Sequence, residues 1–409
     1  MTMRILPIAE GIQMVSVNAE GFLFEGMWDL PHGVSINSYV VGKEEVVLID
    51  GICGWDQTEE GLHAFLEEAG IELENIKHVV LNHMEPDHTE WITAFLEIYS
   101  DVEFYCSKPA YKLLEHYFGK TDRITVVGEG DVLEIGDGHK LTFISAPGVH
   151  WPDTIMTFEE TTKTLFSCDN FGAFGSLTHL TDEGCEEKDL VFLETQQQRY
   201  YADILATFST QVGRSVQKAR GKNPAIIAPG HGMVWKKDVN RIMDDYDRYV
   251  SYAKGTAKEE VLIVRGSMYG MSDIMAKHIE EILEREGISY TSIPVNTTDL
   301  GTILQYAWSA TGIIAVASTY EFNLFPPMSY AIEEMGTKKV QGRVGFYTGS
   351  SGWSGGGKKH FEEIIERKKM NWDLVEGYEF RGIPSDEDKK IAEERVLEVV
   401  QKIKARFDR

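Results

Sequence analysis

The segment Leu81–Trp91, LNHMEPDHTEW, places His83, Glu85, Asp87 and His88 within six residues, directly after the strand-like run His78–Asn82. Imidazole and carboxylate are the side chains that ligate hard and borderline cations, so four of them at a strand end form a candidate metal loop. Pro86 is expected to discourage a helix among them. Three more candidates stand at turns that follow apolar runs: His150 in APGVHWPD, Asp169 in LFSCDN and His231 in AIIAPGHG. A lone histidine is more often a surface or hydrogen-bonded residue than a ligand, and the remaining histidines are read that way. The joint order of these seven is what marks them out.

Around this segment, short β-rich runs alternate with amphipathic helices. Ile12–Val17, Ser35–Val41, Val46–Asp50, His78–Asn82 and Val102–Cys106 are expected strands, being short, rich in β-branched residues and flanked by turns. Gln57–Ala69 is expected to be a helix with Leu62, Phe65 and Leu66 on one face and Gly70 ending it. From Arg123 to Phe166 strands predominate, punctuated by GEGD, GDGH and APG turns. This succession predicts a sheet sandwich flanked by helices. After the polar segment AKGTAKEE the pattern changes, which divides the chain into domains 1–256 and 257–409. Val261–Val264, Ile313–Ala317 and Val344–Tyr347 are expected buried strands separated by helices, the first helix placing Ile274, Ile279, Ile282 and Leu283 on one face before Gly287. Strands alternating with helices in this way predict an α/β, doubly wound parallel sheet.

The second domain carries its own candidate site. GSMYGMS follows a strand and opens a helix, so backbone N–H groups over Ser267, Met268, Tyr269, Gly270, Met271 and Ser272 can cradle a phosphate without a Lys or Arg. The loops STYEFNLFPP, with Ser318, Thr319, Tyr320 and Asn323, and TGSSGWSGGGKK, with Ser351, Gly352, Trp353 and Gly355, also follow strands. Carboxyl ends of parallel strands are where open α/β sheets bind ligands. Trp353 offers an aromatic face for a planar ring. The glycine signatures of dinucleotide and P-loop folds are absent, so a mononucleotide is the expected ligand.

Composition bounds the partners. A formal net charge of −25 argues against nucleic acid or an anionic membrane, both of which draw affinity from clustered Lys and Arg. Cys53, Cys106, Cys168 and Cys185 are scattered, with no C-x-x-C pair, and are expected to be reduced and structural. Neither a signal core nor a membrane-length apolar run is present, so a cytoplasmic location is expected.

The ligand order resembles the metallo-β-lactamase superfamily over residues 30–235, where an H-x-[HED]-x-D-H loop is followed by isolated His, Asp and His ligands. Glu85 stands where zinc hydrolases of that superfamily usually have His, and three carboxylates with four imidazoles suit iron better than zinc. With the S-M-Y-G loop added, the whole chain resembles the flavodiiron proteins. That resemblance implies a metallo-β-lactamase-like αββα sandwich followed by a flavodoxin-like domain, with two Fe ions and FMN per chain. It assigns His83, Glu85 and His150 to one iron, Asp87, His88 and His231 to the other, and Asp169 to the bridge. It places the FMN phosphate on Ser267–Ser272, with Thr319, Tyr320, Asn323, Gly352 and Trp353 near the ring or ribityl chain. One departure is visible: many members have an F-H-G-Y segment whose His and Tyr approach the irons, whereas this chain has Phe24, Glu25, Gly26 and Met27.

The implied activity is reduction of dioxygen to water, with nitric oxide reduction to nitrous oxide as the alternative within the family. From other classes, a zinc hydrolase with a fused flavin domain and a non-enzymatic electron carrier are the alternatives; Glu85 speaks against the first and the full ligand set against the second. The resemblance also implies a head-to-tail homodimer or a dimer of dimers. In the absence of a C-x-x-C pair for a fused rubredoxin, the electrons are expected from an external rubredoxin, a reductase or a reduced deazaflavin.

Overall fold

The computed structural model describes residues 2–52, 66–67, 70–120, 122–136 and 138–407. The expected helix Gln57–Ala69 and Cys53 lie outside these residues, apart from positions 66–67. The chain divides into two compact units, Met1–Tyr201 with Phe208–Asp247, and Ala202–Thr207 with Arg248–Arg409.

The first unit holds two sheets. Its strands are β1 (Thr2–Ala9), β2 (Ile12–Ala19), a short hairpin β3 (Leu23–Phe24) and β4 (Trp28–Asp29), β5 (Val34–Val41), β6 (Val46–Ile49), β7 (Ile76–Leu81), β8 (Glu103–Cys106), β9 (Ile124–Val126), β10 (Val132–Glu134), β11 (Lys140–Ser145), β12 (Ile155–Glu159), β13 (Thr164–Cys168) and β14 (Ile226–Pro229). One sheet has the order β1-β2-β5-β6-β7-β8-β9, the other β10-β11-β12-β13-β14. Facing side chains of the two sheets, among them Met14, Tyr39, Ile49, Val80, Phe143, Ile155, Phe166 and Ala228, form one buried core. The opposite face of the first sheet packs Leu48, Val79 and Leu81 against the helical residues Trp91, Ile92, Phe95, Ala110 and Leu114. Because β6 is covered on both faces it reads as a continuous apolar run, and β5, also buried throughout, admits only the small polar Ser35, Asn37 and Ser38 among its apolar residues.

Local chemistry fixes the helix beside the site. Lys108–Phe118 begins where Ser107 Oγ accepts from Ala110 N–H and ends at Gly119, whose φ of 61° suits a residue without Cβ. Pro86 does not keep its neighbours out of a helix. It starts the one-turn helix Pro86–Thr89, because at a first helical position proline's missing N–H would have had no intrahelical acceptor and its fixed φ is already helical.

The second unit is a parallel sheet of β15 (Lys258–Gly266), β16 (Ser289–Pro294), β17 (Ala310–Ala317), β20 (Val344–Ser351), β21 (Asp373–Leu374) and β22 (Tyr378–Arg381), with the small antiparallel ribbon β18 (Thr319–Tyr320) and β19 (Asn323–Leu324) inserted after β17. The order β16-β15-β17-β20, with β21 and β22 both on β20, is that of flavodoxin-like sheets, and reverses between β16 and β17. Met271–Glu286 and Asp386–Lys404 cover one face, burying Met275, Ile279, Ile282, Leu283, Val396 and Val399. Ile274 departs from its expected place. It is 43% exposed, and Met275 and Ala276 fill the core side instead, since the buried stripe is set by the sheet beneath the helix rather than by hydrophobicity alone. Among the described residues no helix is long and apolar enough to cross a membrane.

Candidate metal centre and nucleotide site

Strand ends bring the seven ligand candidates together. His83, Glu85, Asp87 and His88 follow β7, His150 lies in the β11–β12 connection, Asp169 follows β13 and His231 follows β14. The parallel pairing of β13 with β14 aligns the last two loops, and Gly230 N–H donates to Cys168 O at 2.8 Å. All seven side chains are buried. They form two groups whose ligand atoms lie within 4.8 Å of one another: His83, Glu85, His150 and Asp169, and Asp87, His88 and His231.

Asp169 faces both groups. Its Oδ1 lies 3.2 Å from His88 Nε2 and 3.5 Å from His231 Nε2, while its Oδ2 lies 3.4 Å from His83 Nε2 and 3.6 Å from His150 Nε2. Glu85 Oε2 stands 2.8 Å from His150 Nε2 and 3.3 Å from His83 Nε2. Both oxygens of Asp87, Asp169 Oδ2 and His231 Nε2 are buried without a hydrogen bond, although His231 Nε2 is 3.1 Å from Asp87 Oδ2. Buried charged atoms left unpaired are costly, and cations between these groups would satisfy them together.

Without metal, protons do that work. Burial opposes charge on His88, but Asp87, Asp169 and Asp50 outweigh it and hold the imidazolium up to about 10. His83 is likewise raised well above its ordinary value, against burial, by Asp153 and Glu85. Despite burial, His150 and His83 hold the Glu85 carboxyl below the usual range, and His88, His83 and His150 do the same for Asp169. Asp50 and Cys168 also come within ligand distance of His88, but burial and the surrounding carboxylates push the Cys168 thiol up, and a thiol is a poor ligand.

In the second unit the three loops follow β15, β17 and β20. Gly270 begins Met271–Glu286 at φ 90° without a side-chain cap, leaving the helix N-terminus open to an anion. Ser272 Oγ, fully buried, lies 3.1 Å from Ser318 Oγ, whereas Ser267 Oγ accepts from Gly270 N–H within its own turn. Tyr269, Tyr320 and Trp353 are exposed, Trp353 to 76%, and Met268 is partly so. Such an aromatic grouping at the sheet's carboxyl edge suits a planar ring. Asn323 Nδ2 donates to Glu321 O inside the ribbon, and Ser351 Oγ to Phe380 O, so both shape the loops from within. Glu379 was not evident in the sequence. Its carboxylate accepts from Thr319 Oγ1, Gly356 N–H and Gly357 N–H, tying two loops together, and a Cβ on Gly355 would collide with it.

A family model described as ODP family beta lactamase matches residues 34–232. The anaerobic nitric oxide reductase flavorubredoxin of Salmonella typhi is 30% identical over 337 residues, covering 79% of this chain and 67% of that protein. A variant of the flavo di-iron protein from Thermotoga maritima matches with a TM-score of 0.89 at 26% identity, over 98% of this chain and 99% of that one. The chain belongs to the flavodiiron protein family. A further relative, the nitric oxide reductase of Moorella thermoacetica, is 26% identical over 378 residues, 92% of this chain and 91% of that protein. Flavodiiron proteins are oxidoreductases, and this chain has their metallo-β-lactamase-like and flavodoxin-like folds.

Further side chains surround the candidate ligands. At the hairpin that departs from F-H-G-Y, Glu25 is exposed at the turn and accepts from the Trp28 indole N–H at 2.7 Å, and Met27 is 41% exposed. Phe24 meets one candidate ligand, its ring edge-on to His231 at 5.6 Å. Tyr200, also missed in the sequence, packs 5.8 Å from His231 with its hydroxyl buried and unbonded. Burial, together with Asp169, Asp87 and Glu85, raises that phenol well above 10, so it stays protonated. On the other side Trp151 stands edge-on to His83 at 5.0 Å, and His150 and Trp151 open onto a cavity of about 570 Å³ also lined by Pro147, Phe208 and Gln211.

Proposed function

We propose that this chain takes electrons from an external donor through FMN to a non-haem diiron centre and reduces dioxygen to water. The observation that carries the reading is the split of Asp169, with one oxygen toward His88 and His231 and the other toward His83 and His150. A carboxylate so placed is suited to bridge two cations, one held by His83, Glu85 and His150 and the other by Asp87, His88 and His231. The FMN phosphate would rest on the loop Ser267–Ser272 and the N-terminus of Met271–Glu286, with Thr319, Tyr320, Asn323 and Trp353 about the ring and ribityl chain.

When bound, the flavin and the irons together supply up to four electrons, the number that takes dioxygen to water. The protein's own part is positional. Four imidazoles and three carboxylates hold the metals, and Phe24, Phe174 and Tyr200 wall the pocket against bulk water. The protonated Tyr200 Oη is the group able to donate a hydrogen bond to a polar molecule there.

Nitric oxide reduction is the second reading, favoured because the Moorella and Salmonella relatives carry that activity in their names. The dioxygen reading rests on the four-electron match. We further infer a cytoplasmic protein divided functionally at 1–256 and 257–409, acting as a head-to-tail homodimer or dimer of dimers, with a rubredoxin, a reductase or a reduced deazaflavin as donor. The test is steady-state consumption of each gas under one common donor, with peroxide assayed in parallel. Faster dioxygen turnover with water as product supports the reading; nitric oxide turnover about tenfold faster, or peroxide as the main product, overturns it.

A further inference from the structure

We propose that Asp153 is a positioning residue of the metal centre, acting through His83. The proposal rests on the diiron reading above and concerns a residue outside the seven-ligand set. Asp153 is fully buried, and its Oδ2 lies 3.2 Å from His83 Nδ1. A carboxylate can only accept, so His83 keeps a proton on Nδ1, and Nε2, 3.3 Å from Glu85 Oε2 and 3.4 Å from Asp169 Oδ2, is the nitrogen left to give up its proton to a metal.

The carboxylate is itself held. Met84 N–H donates to the same Oδ2 at 2.8 Å, and Ser107 Oγ, at the start of the helix Lys108–Phe118, donates to the Asp153 carbonyl at 2.7 Å. Asp153 lies three residues after His150 in the same connection. That one loop therefore supplies a ligand directly and fixes a second ligand that is 67 residues away from the first in sequence. Both belong to the same group of four, so the support falls on one metal position.

The other position is backed differently. His231 Nδ1 lies 3.0 Å from Ser35 O, a neutral carbonyl. An imidazole hydrogen-bonded to a carboxylate is the stronger donor to a metal, and loss of such a partner typically costs about 10- to 100-fold in metal affinity. Asn at 153 keeps the shape, and its one oxygen could still accept from both Met84 N–H and His83 Nδ1–H, so what the substitution removes is the negative charge behind His83.

The test strips the full chain of metal with a chelator and titrates it anaerobically with Co(II), following the visible ligand-field bands. The unsubstituted protein is expected to take up about two Co(II), and failure to do so would remove the diiron reading and this inference with it. In Asp153→Asn the affinity of one position should fall about 10- to 100-fold with altered bands, while the other stays within about twofold. Unchanged affinities in a variant with native near-ultraviolet circular dichroism, or an equal loss at both positions, would overturn the assignment. Asp153→Ser, which removes the charge with a smaller side chain, is the second variant and should show the same one-position loss. In a His83→Asn background, adding Asp153→Asn should change the remaining affinity by less than about twofold; a further tenfold loss would show a general structural role instead.

Discussion

Asp169→Asn is expected to weaken both metal positions, whereas His83→Asn should weaken one. The two oxygens of Asp169 lie 3.2 to 3.6 Å from four histidine nitrogens, two on each side. An amide of the same shape offers one oxygen and one N–H₂, so one side loses its acceptor, and the charge that both sides share is gone. Removing one member of a buried charged set costs about 3–5 kcal/mol. At about 1.4 kcal/mol per tenfold, even 3 kcal/mol means roughly a hundredfold weaker retention at each position. His83, by contrast, stands with Glu85 and His150 and is not a member of the Asp87, His88 and His231 group. The assay is metal content by mass spectrometry after gel filtration, with affinities from anaerobic Fe(II) or Co(II) titration. An Asp169→Asn protein that keeps both metals at unaltered affinity, or loses one and keeps the other, would refute the bridging argument.

Metal affinity should rise with pH, because below about pH 10 a metal must displace the proton that Asp87 and Asp169 hold on His88. The metal-free protein should behave oppositely: the folded value of His88 lies above its ordinary 6.5, so its contribution is complete below pH 6.5 and is lost as pH rises through about 10, read as a falling Tm. Both trends are checked by titration and melting in parallel, and flat profiles would contradict them. Tyr200→Phe should leave metal content unchanged and slow turnover by roughly 10²- to 10⁴-fold if its hydroxyl serves as a proton-donating group, whereas an unaltered rate would assign it to packing alone. Trp353→Ala should weaken FMN binding about 2- to 10-fold through the loss of an aromatic contact, measured by flavin fluorescence, with iron content unaffected.

What could be read in the sequence was what lies close together along the chain. The candidate loop is compact, and His150, Asp169 and His231 each follow an apolar run, but it was their joint order rather than strand-end placement alone that marked them out. The alternation of strands and helices likewise gave the two-sheet sandwich of the first unit and the parallel sheet of the second. Pro86 misled because proline forbids the interior of a helix but favours its first position. Ile274 misled because one exposed isoleucine is indistinguishable from a core residue in a periodic pattern. Tyr200 and Glu379 were illegible, since their partners are brought near only by the fold. Glu379 meets Thr319 from 60 residues away, and nothing local to it announces that contact. Asp153 left one weak signal, an acid three residues beyond a candidate ligand, His150.

The central claim is a pair of irons joined through Asp169 in a chain that also carries FMN, and Mössbauer spectroscopy of iron-57-enriched protein, with flavin quantified on the same sample, tests it most directly. The expected result is about two irons and one FMN per chain, with the oxidised irons antiferromagnetically coupled and the coupling lost in Asp169→Asn. Two zinc ions with iron absent in protein from iron-replete cells, or magnetically isolated ferric ions, would contradict it.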